Sequence, residues 1–478
     1  MIELQSLIQT IHAAVWGVPL LLLLIGGGIY LTCLLRGMQF RYLFRAFFMK
    51  DPKEDQSEKE VAKASVEGDI SSFQSLMTAM ASAVGTGSIV GAATAITAGG
   101  LGAIFWMWVT TLVTMAIKYA EALLAVKYRV VDERGEMAGG PMQYMERGLG
   151  WKWMATLFAV FASIAAIGTG NLVQINSVAQ ALGTVFDVEP FGTGIVLAVV
   201  TAFVLLKGIR GIGFVSSILV PVMASFYILA GIVVLFFFSS KLPEAVSLIF
   251  SSAFTGQAAC GGFIGSTVMM AMQSGVSRSV FSSEAGLGIS SIAAAAARTK
   301  SSAKQALLSM SATLLSTAII CSITALTIAV TGVMGSVDEA GKMINGAPLA
   351  IAAFNAAFSG GQYVVMLGLI LFAYTTVIAW AYYGEKCFEY LFGAKSVLIY
   401  RIIYIALVIP GALFALEMVW SFANIMNGLM IIPNMVALLA LSGVIQKETK
   451  EFLVKVEPKA ELPVKKGAPI DALIAGES

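Results

Sequence analysis

Charge, histidine and proline are scarce in this chain. Its 478 residues include one histidine, four cysteines and 12 prolines, and only 12% are charged. Soluble domains carry about 25% charged residues, so a water-soluble enzyme with a polar exterior is excluded. The lone histidine, His12, rules out a His-based zinc site. Cys33, Cys260, Cys321 and Cys387 show no CxxC spacing and read as small core residues. Basic residues (30) nearly balance acidic ones (28), which leaves no nucleic-acid footprint. Apolar residues, by contrast, make up 58% of the chain, with 47 glycines and a mean hydropathy of +0.86. Glycine is more frequent in membrane helices than in soluble ones. The composition is that of an all-α polytopic membrane protein.

A spanning helix needs about 20 apolar residues to cross about 30 Å of hydrocarbon. About eleven stretches qualify: 13–35, 72–98, 102–128, 151–182, 192–206, 212–238, 262–288, 301–332, 361–390, 397–418 and 421–444. The first is long enough to span and is followed by basic residues, so it reads as a retained helix rather than a cleaved signal. A shorter apolar run at 347–358 is expected to lie as a helix on an outer loop. Lys and Arg are retained on the cytoplasmic side of short loops. With the N-terminus outside and the C-terminus inside, Lys241 and Lys342 alone fall in outer loops, among Asp187, Glu189, Glu244, Asp338, Glu339 and Glu417. Lys118 and Arg278 lie within helices, and the rest of the 30 basic residues fall inside. Segment 50–68 reads as a polar linker, and 446–478 as a poorly ordered Lys/Glu/Pro tail.

Two spans are interrupted by small and polar residues. In the second, Ala81-Ser82-Ala83-Val84-Gly85-Thr86-Gly87-Ser88 sits at the midpoint; in the seventh, Met272-Gln273-Ser274-Gly275-Val276-Ser277-Arg278-Ser279 does the same. Because the two lie an odd number of helices apart, equivalent elements run in opposite directions, the mark of inverted repeats with discontinuous helices. A helix opened inside hydrocarbon frees N–H and C=O groups that must face a polar cavity. Half-helix N-termini then favour a carboxylate, and freed carbonyls a cation. One such cluster alone reads more simply as a small-residue packing face; two in corresponding positions favour a binding site. In the fourth helix Asn171 and Gln174 share a face and either meet a ligand or join helices. In the ninth, Thr376 and Trp380 stand one turn apart, placing a hydroxyl for a hard cation beside an indole wall. Arg278 and Glu284 are costly in lipid and need partners; they are expected nearer the cytoplasmic gate than the binding site. Lys118 and Glu121, three apart, read as a structural pair.

The chain resembles the alanine/glycine:cation symporters, of the amino acid-polyamine-organocation superfamily. The most specific match is Gly99-Gly100-Leu101-Gly102-Ala103-Ile104-Phe105-Trp106-Met107-Trp108. Further matches, in order, are 139–148 (GGPMQYMERG), 170–177 (GNLVQINS), Phe281-Ser282-Ser283-Glu284-Ala285-Gly286 and Tyr382-Tyr383-Gly384-Glu385. The resemblance implies the five-plus-five inverted-repeat fold of bacterial leucine transporters with one extra N-terminal helix. That fold divides the chain into 1–70, a first repeat 71–240, a second repeat 241–445 and a tail 446–478. It implies Na⁺- or H⁺-coupled uptake of a small neutral amino acid, alanine or glycine, by alternating access in the inner membrane of a prokaryote.

Carried residue by residue, the resemblance puts the substrate carboxylate on Gly85, Thr86 and Gly87, and its amino group toward Gln273, Ser274 and Gly275. Gln174 and Asn176 line a third side, and Thr376 and Trp380 bound the side chain. One sodium takes the carbonyls of Ala81, Val84 and Phe372 and the hydroxyls of Thr375 and Thr376, an oxygen set suited to a hard cation. Ser88 stands where members commonly carry an amide, a departure that bears on a second cation site, and Ser283 likewise replaces an amide. Two other classes compete with a symporter. A channel or ligand-binding receptor needs a polar-lined pore or filter, and no ring motif is visible. A membrane enzyme needs a nucleophile–base or metal constellation, and none stands at a recognisable spacing.

Overall fold

The computed structural model describes residues 10–12, 14–43, 68–255, 268–337, 341 and 343–456. Cys260, Asp338, Glu339, Lys342, most of the 50–68 linker and the tail beyond 456 lie outside the described residues. Helices dominate, in the order α1 (Val18–Leu34), α2 (Ser72–Ala83, continued by Gly87–Gly99), α3 (Gly102–Lys127), α4 (Lys152–Phe186), α5 (Pro190–Leu205), α6 (Gly208–Phe237) and α7 (Leu242–Thr255). There follow α8 (Val268–Ser283), α9 (Ser291–Ala295), α10 (Ser302–Thr331), α11 (Ala347–Ala357), α12 (Gly361–Phe392), α13 (Ala394–Leu413), α14 (Leu416–Ala440) and α15 (Ser442–Val456).

Seven of these, α3, α4, α6, α10, α12, α13 and α14, are long and apolar enough to cross a membrane, and the bent α2 makes an eighth. The expected spans at 13–35 and 192–206 appear as the shorter apolar helices α1 and α5. The short apolar run at 347–358 forms the helix α11. Helix α7 has no counterpart among the predicted segments, because Glu244, Ser247, Ser251 and Ser252 break up its apolar pattern. It lies across the start of α3, where the Trp106 indole donates to Ala253 O at 3.3 Å and Phe105 meets Phe250 and Phe254 edge-on. The described start of the C-terminal tail is helical, in α15.

The first interruption falls where the small residues are. Helix α2 opens on a capping box in which Ser71 accepts from Gln74 N at 3.1 Å and Gln74 accepts from Ser71 N at 3.0 Å. Its α-helical ladder ends with Val84 N on Met80 O at 2.7 Å, and the two segments are bent by 45°.

The second interruption is not at 272–279. Helix α8 runs unbroken through Gln273, Ser274 and Gly275 and stops at Ser283; the chain then turns through Glu284 (φ 57°), Gly286 (φ 96°) and Gly288 (φ 76°) before α9. Single Gly and Ser residues do not open a helix whose neighbours pack tightly against them. A β-carbon on Gly275 meets Ala103 O at 2.4 Å and the Trp106 β-carbon at 2.7 Å, and one on Gly99 meets the Ser274 β-carbon at 2.9 Å. The cluster is a small-residue packing face between α8 and the α2–α3 corner.

What opens the chain at 284–290 is a set of side chains that take over its backbone groups. The Lys118 ammonium donates to Ser283 O at 2.9 Å and also to the Ser290 hydroxyl. Glu121 Oε1 accepts from Gly286 N at 2.9 Å, Gly288 N at 3.0 Å and Asn434 Nδ2 at 2.8 Å, and Asn434 Nδ2 also bonds Gly286 O at 2.8 Å. Lys118 and Glu121 thus serve structure by gripping the loop from one face of α3.

On the same side as the start of α2, a hairpin, β1 (Val130–Val131) with β2 (Met137–Ala138), joins the broken helices to α12 and α13. Its Arg134 reaches Glu385 and Glu389, each at 3.1 Å, and Lys386 pairs with Asp132 and Glu136. Met137 N donates to Asp69 Oδ2 at 2.8 Å, ahead of α2.

Replacing a buried charged group while leaving its partners unpaired costs about 3–5 kcal/mol. Glu121→Leu strands two loop N–H groups and the Asn434 amide. The purified variant is therefore expected to lose about that much stability in a denaturation series in detergent; wild-type stability would refute this account of the second break.

Candidate functional site

Four helices meet at the first interruption. The Thr376 hydroxyl of α12 donates to Ala81 O at 2.8 Å and Phe372 O at 2.9 Å, with Ser82 O at 3.5 Å. Thr375, also buried, has its hydroxyl on Phe372 O at 3.0 Å and near Met223 Sδ at 3.6 Å. Val84 is buried at the end of the first α2 segment. The result is a cluster of oxygen atoms around Thr376, built from the end of the first α2 segment, where the last carbonyls lack i+4 partners, and from Phe372 O of the continuous α12. Oxygen donors of this kind suit a hard monovalent or divalent cation.

Beyond the break, Thr86 N donates to Gln174 Oε1 at 3.1 Å, and Gln174 Nε2 is fixed by Thr169 O at 2.9 Å. The Thr86 hydroxyl is buried and has no hydrogen-bond partner. Gly85 admits the close approach: a β-carbon there comes within 2.4 Å of Thr376 Oγ1 and 3.2 Å of Gln174 Oε1. Gly87 lies under Phe281, whose ring stacks on Trp420 at 4.5 Å, and the Arg278 guanidinium covers the same indole at 4.2 Å. Trp380 is buried against Gly170 in the irregular part of α4.

Ala81, Gly85, Thr86, Gln174, Phe372 and Thr376 therefore come together, with Val84, Gly87, Thr375 and Trp380 on the adjoining turns. Asn176 does not join them; its amide donates to Phe414 O at 2.6 Å and Gly411 O at 3.4 Å, at the end of α13. Asn171 likewise donates to Tyr404 O at 2.6 Å, a link between helices, while its amide oxygen is buried without a hydrogen-bond partner. Gln273, Ser274 and Gly275 sit on the packed face of α8 described above. Arg278 stays on the Trp420 side, but Glu284 reaches the first break.

Glu284, Ser82 and Tyr383 had no assigned place at this site. Ser82 Oγ donates to Glu284 Oε2 at 2.8 Å and lies 3.1 Å from Tyr383 OH. The available signal was a carboxylate inside an apolar stretch, at Glu284 of the 281–286 motif. At Ser88, the hydroxyl lies 3.1 Å from Ser282 Oγ, which lies 3.2 Å from Cys321 Sγ. These short polar groups satisfy one another.

The family described as the sodium:alanine symporter family matches residues 1–466. The chain is 48% identical over 460 residues to the sodium/alanine symporter AgcS of Methanococcus maripaludis, covering 94% of this chain and 97% of that protein. An uncharacterized transporter of Haemophilus influenzae is 45% identical over 455 residues, covering 95% and 97%. Among solved structures, MhsT in complex with L-phenylalanine matches with a TM-score of 0.55 at 14% identity, covering 82% of this chain and 99% of that one. That likeness shows the leucine-transporter fold.

Close contact between α4 and α12 sets the position of Trp380. A methyl at Gly170 falls 2.1 Å from the Trp380 β-carbon, whereas one at Gly192 meets nothing within 4 Å. Overpacking costs about 1–3 kcal/mol. Gly170→Ala is expected to lower stability by that amount in thermal unfolding and Gly192→Ala to leave it unchanged; equal behaviour of the two would show that the contact is not maintained.

Proposed function

From the premise that the chain belongs to the sodium:alanine symporter family, we propose that it carries a small neutral amino acid, alanine or glycine, inward across a prokaryotic inner membrane. It is a secondary transporter rather than an enzyme, and it couples amino-acid movement to sodium. The observation that carries the finer reading is the junction of two kinds of freed backbone at one helix break. The Ala81 carbonyl at the end of the first α2 segment accepts from the Thr376 hydroxyl, and past the break the N–H of Thr86 is held by a side-chain amide rather than by the helix.

In this reading sodium takes the place now filled by the Thr376 hydrogen bonds, with Ala81, Val84 and Phe372 carbonyls and the hydroxyls of Thr375 and Thr376 as its ligands. The substrate carboxylate lies along Gly85, Thr86 and Gly87, where Gln174 releases the Thr86 N–H to it. Phe281 and Trp420 cover that face, and Trp380 limits the size of the side chain. Ser88, Ser282 and Cys321 bond to one another, so the reading places no second cation at Ser88. The two breaks belong to repeats at 71–240 and 241–445 that run in opposite senses, with the N-terminus outside and the basic loops inside. One charge crossing 100 mV supplies about 2.3 kcal/mol, enough for roughly a 50-fold gradient of a neutral solute when one ion accompanies it.

Proteoliposomes containing the purified protein test this directly. Radiolabelled alanine is expected to accumulate when an inward sodium gradient is imposed and to stop accumulating when that gradient is collapsed at constant pH. Uptake that follows a proton gradient and ignores sodium would overturn the sodium assignment.

A further inference from the structure

Carboxylates outnumber basic groups at the second break. Among the described residues, Glu121 and Glu284 both approach the 284–290 loop, and one ammonium, Lys118, lies with them; it is 3.9 Å from Glu284 Oε2. The next basic group along α8, Arg278, is turned away onto the Trp420 indole. Two buried carboxylates share one ammonium, so a second positive charge, a proton or a cationic ligand, has a place there, since a buried charge without compensation is costly.

The two carboxylates differ in what they face. Glu121 uses one oxygen to hold two loop N–H groups and the Asn434 amide, and so belongs to the scaffold of the loop. Glu284 instead reaches across to the first break. Its Oε2 accepts from Ser82, the residue whose carbonyl lies 3.5 Å from the Thr376 hydroxyl, while the Trp380 indole stands beside the same carboxylate. Its Oε1 is buried and accepts no hydrogen bond. Glu284 also has φ 57°, a left-handed conformation that a non-glycine residue adopts at a cost and that concentrates at functional sites. A fully buried carboxylate whose Oε1 accepts no hydrogen bond, with the Trp380 indole, the Ser290 hydroxyl and the Lys118 ammonium beside it and a left-handed backbone between the two breaks, offers an acceptor to a cationic donor.

We propose that Glu284 is the counter-charge for the α-ammonium group of the transported amino acid. The proposal rests on the amino-acid symport reading and takes over the role that the family resemblance implied for Gln273, Ser274 and Gly275. A zwitterion then spans the gap between the breaks: its carboxylate meets freed N–H groups of α2, and its ammonium meets Glu284. Ammonium binding completes the charge balance, so a solute that brings no positive charge leaves the carboxylate unpaired. This provides a physical basis for taking amino acids and rejecting simple carboxylic acids of the same size.

The test compares alanine with lactate, which has the same skeleton with a hydroxyl in place of the ammonium. Affinities are measured in sodium by competition against radiolabelled alanine on the purified full-length protein. In Glu284→Gln, alanine affinity is expected to fall about 10- to 100-fold while lactate affinity stays level, so the preference collapses. Glu284→Asp keeps the charge and is expected to retain a preference for alanine. Thermal stabilisation of Glu284→Gln by sodium alone, equal to that of the wild type, reports an intact fold and cation site. A parallel loss of both ligands, or unchanged alanine affinity, would overturn the proposal. So would a variant that binds alanine normally but loses a pH dependence shown by the wild type, since Glu284 would then carry a proton. Failure of sodium-coupled alanine uptake in the wild type would count against the transport reading instead, and is seen before any variant is made.

Discussion

Hydrocarbon offers no partner to a peptide group, so a helix can open inside a membrane only where protein side chains or a ligand take over its hydrogen bonds. Both interruptions of this chain obey that constraint, in different ways. The second is closed by permanent fixtures: Lys118 holds the last carbonyl of α8, while Glu121 and Asn434 hold the loop beyond it. The first is closed by groups that other ligands can replace, namely a threonine hydroxyl on the Ala81 carbonyl and a glutamine oxygen on the Thr86 N–H. A break satisfied by exchangeable partners is where solutes can bind and leave. A break satisfied by fixed side-chain hydrogen bonds keeps its shape while they do.

The arrangement also links the site to the far end of the bundle. Helix α12 carries Phe372, Thr376 and Trp380 at the first break and Glu385, Lys386 and Glu389 nearer its C-terminus, where they grip the β1–β2 hairpin. That hairpin in turn holds Asp69 ahead of α2 through Met137 N, and Arg129 beside it reaches the carbonyls of Ala295, Ala297 and Thr299 after the second break. The rigid α12 and the two interrupted segments therefore touch twice, at the site and at the hairpin. A change in how α2 sits against Thr376 has a mechanical route to the hairpin ion pairs.

How much of this was legible in the sequence depended on the kind of signal. Composition and long apolar runs exposed the membrane class, because burial in lipid is a property of whole segments. The first break was legible because Gly85 and Gly87 flank a hydroxyl residue where backbone must approach Thr376 and Gln174. The second was misplaced by about ten residues, onto Gly275. Glycine and serine serve close packing as well as unwinding, and only the contacts with Ala103 and Trp106 decide between them. The true break was marked by Glu284, Gly286 and Gly288 together with two charged residues on another helix, a long-range pattern that one sequence does not expose. Asn176 failed for the same reason: its amide finds the end of α13, a partner more than 200 residues away in the chain.

In the proposed function, sodium and amino acid share one helix break, so that each ligand organises the backbone that the other uses. Coupling between binding sites is reciprocal. Calorimetric titration of the purified protein with alanine at fixed sodium concentrations, and with sodium at fixed alanine concentrations, measures it from both sides. The structure predicts that each ligand tightens the other by the same factor, of about tenfold or more. Independent binding, with alanine affinity unchanged from zero to saturating sodium, would contradict it.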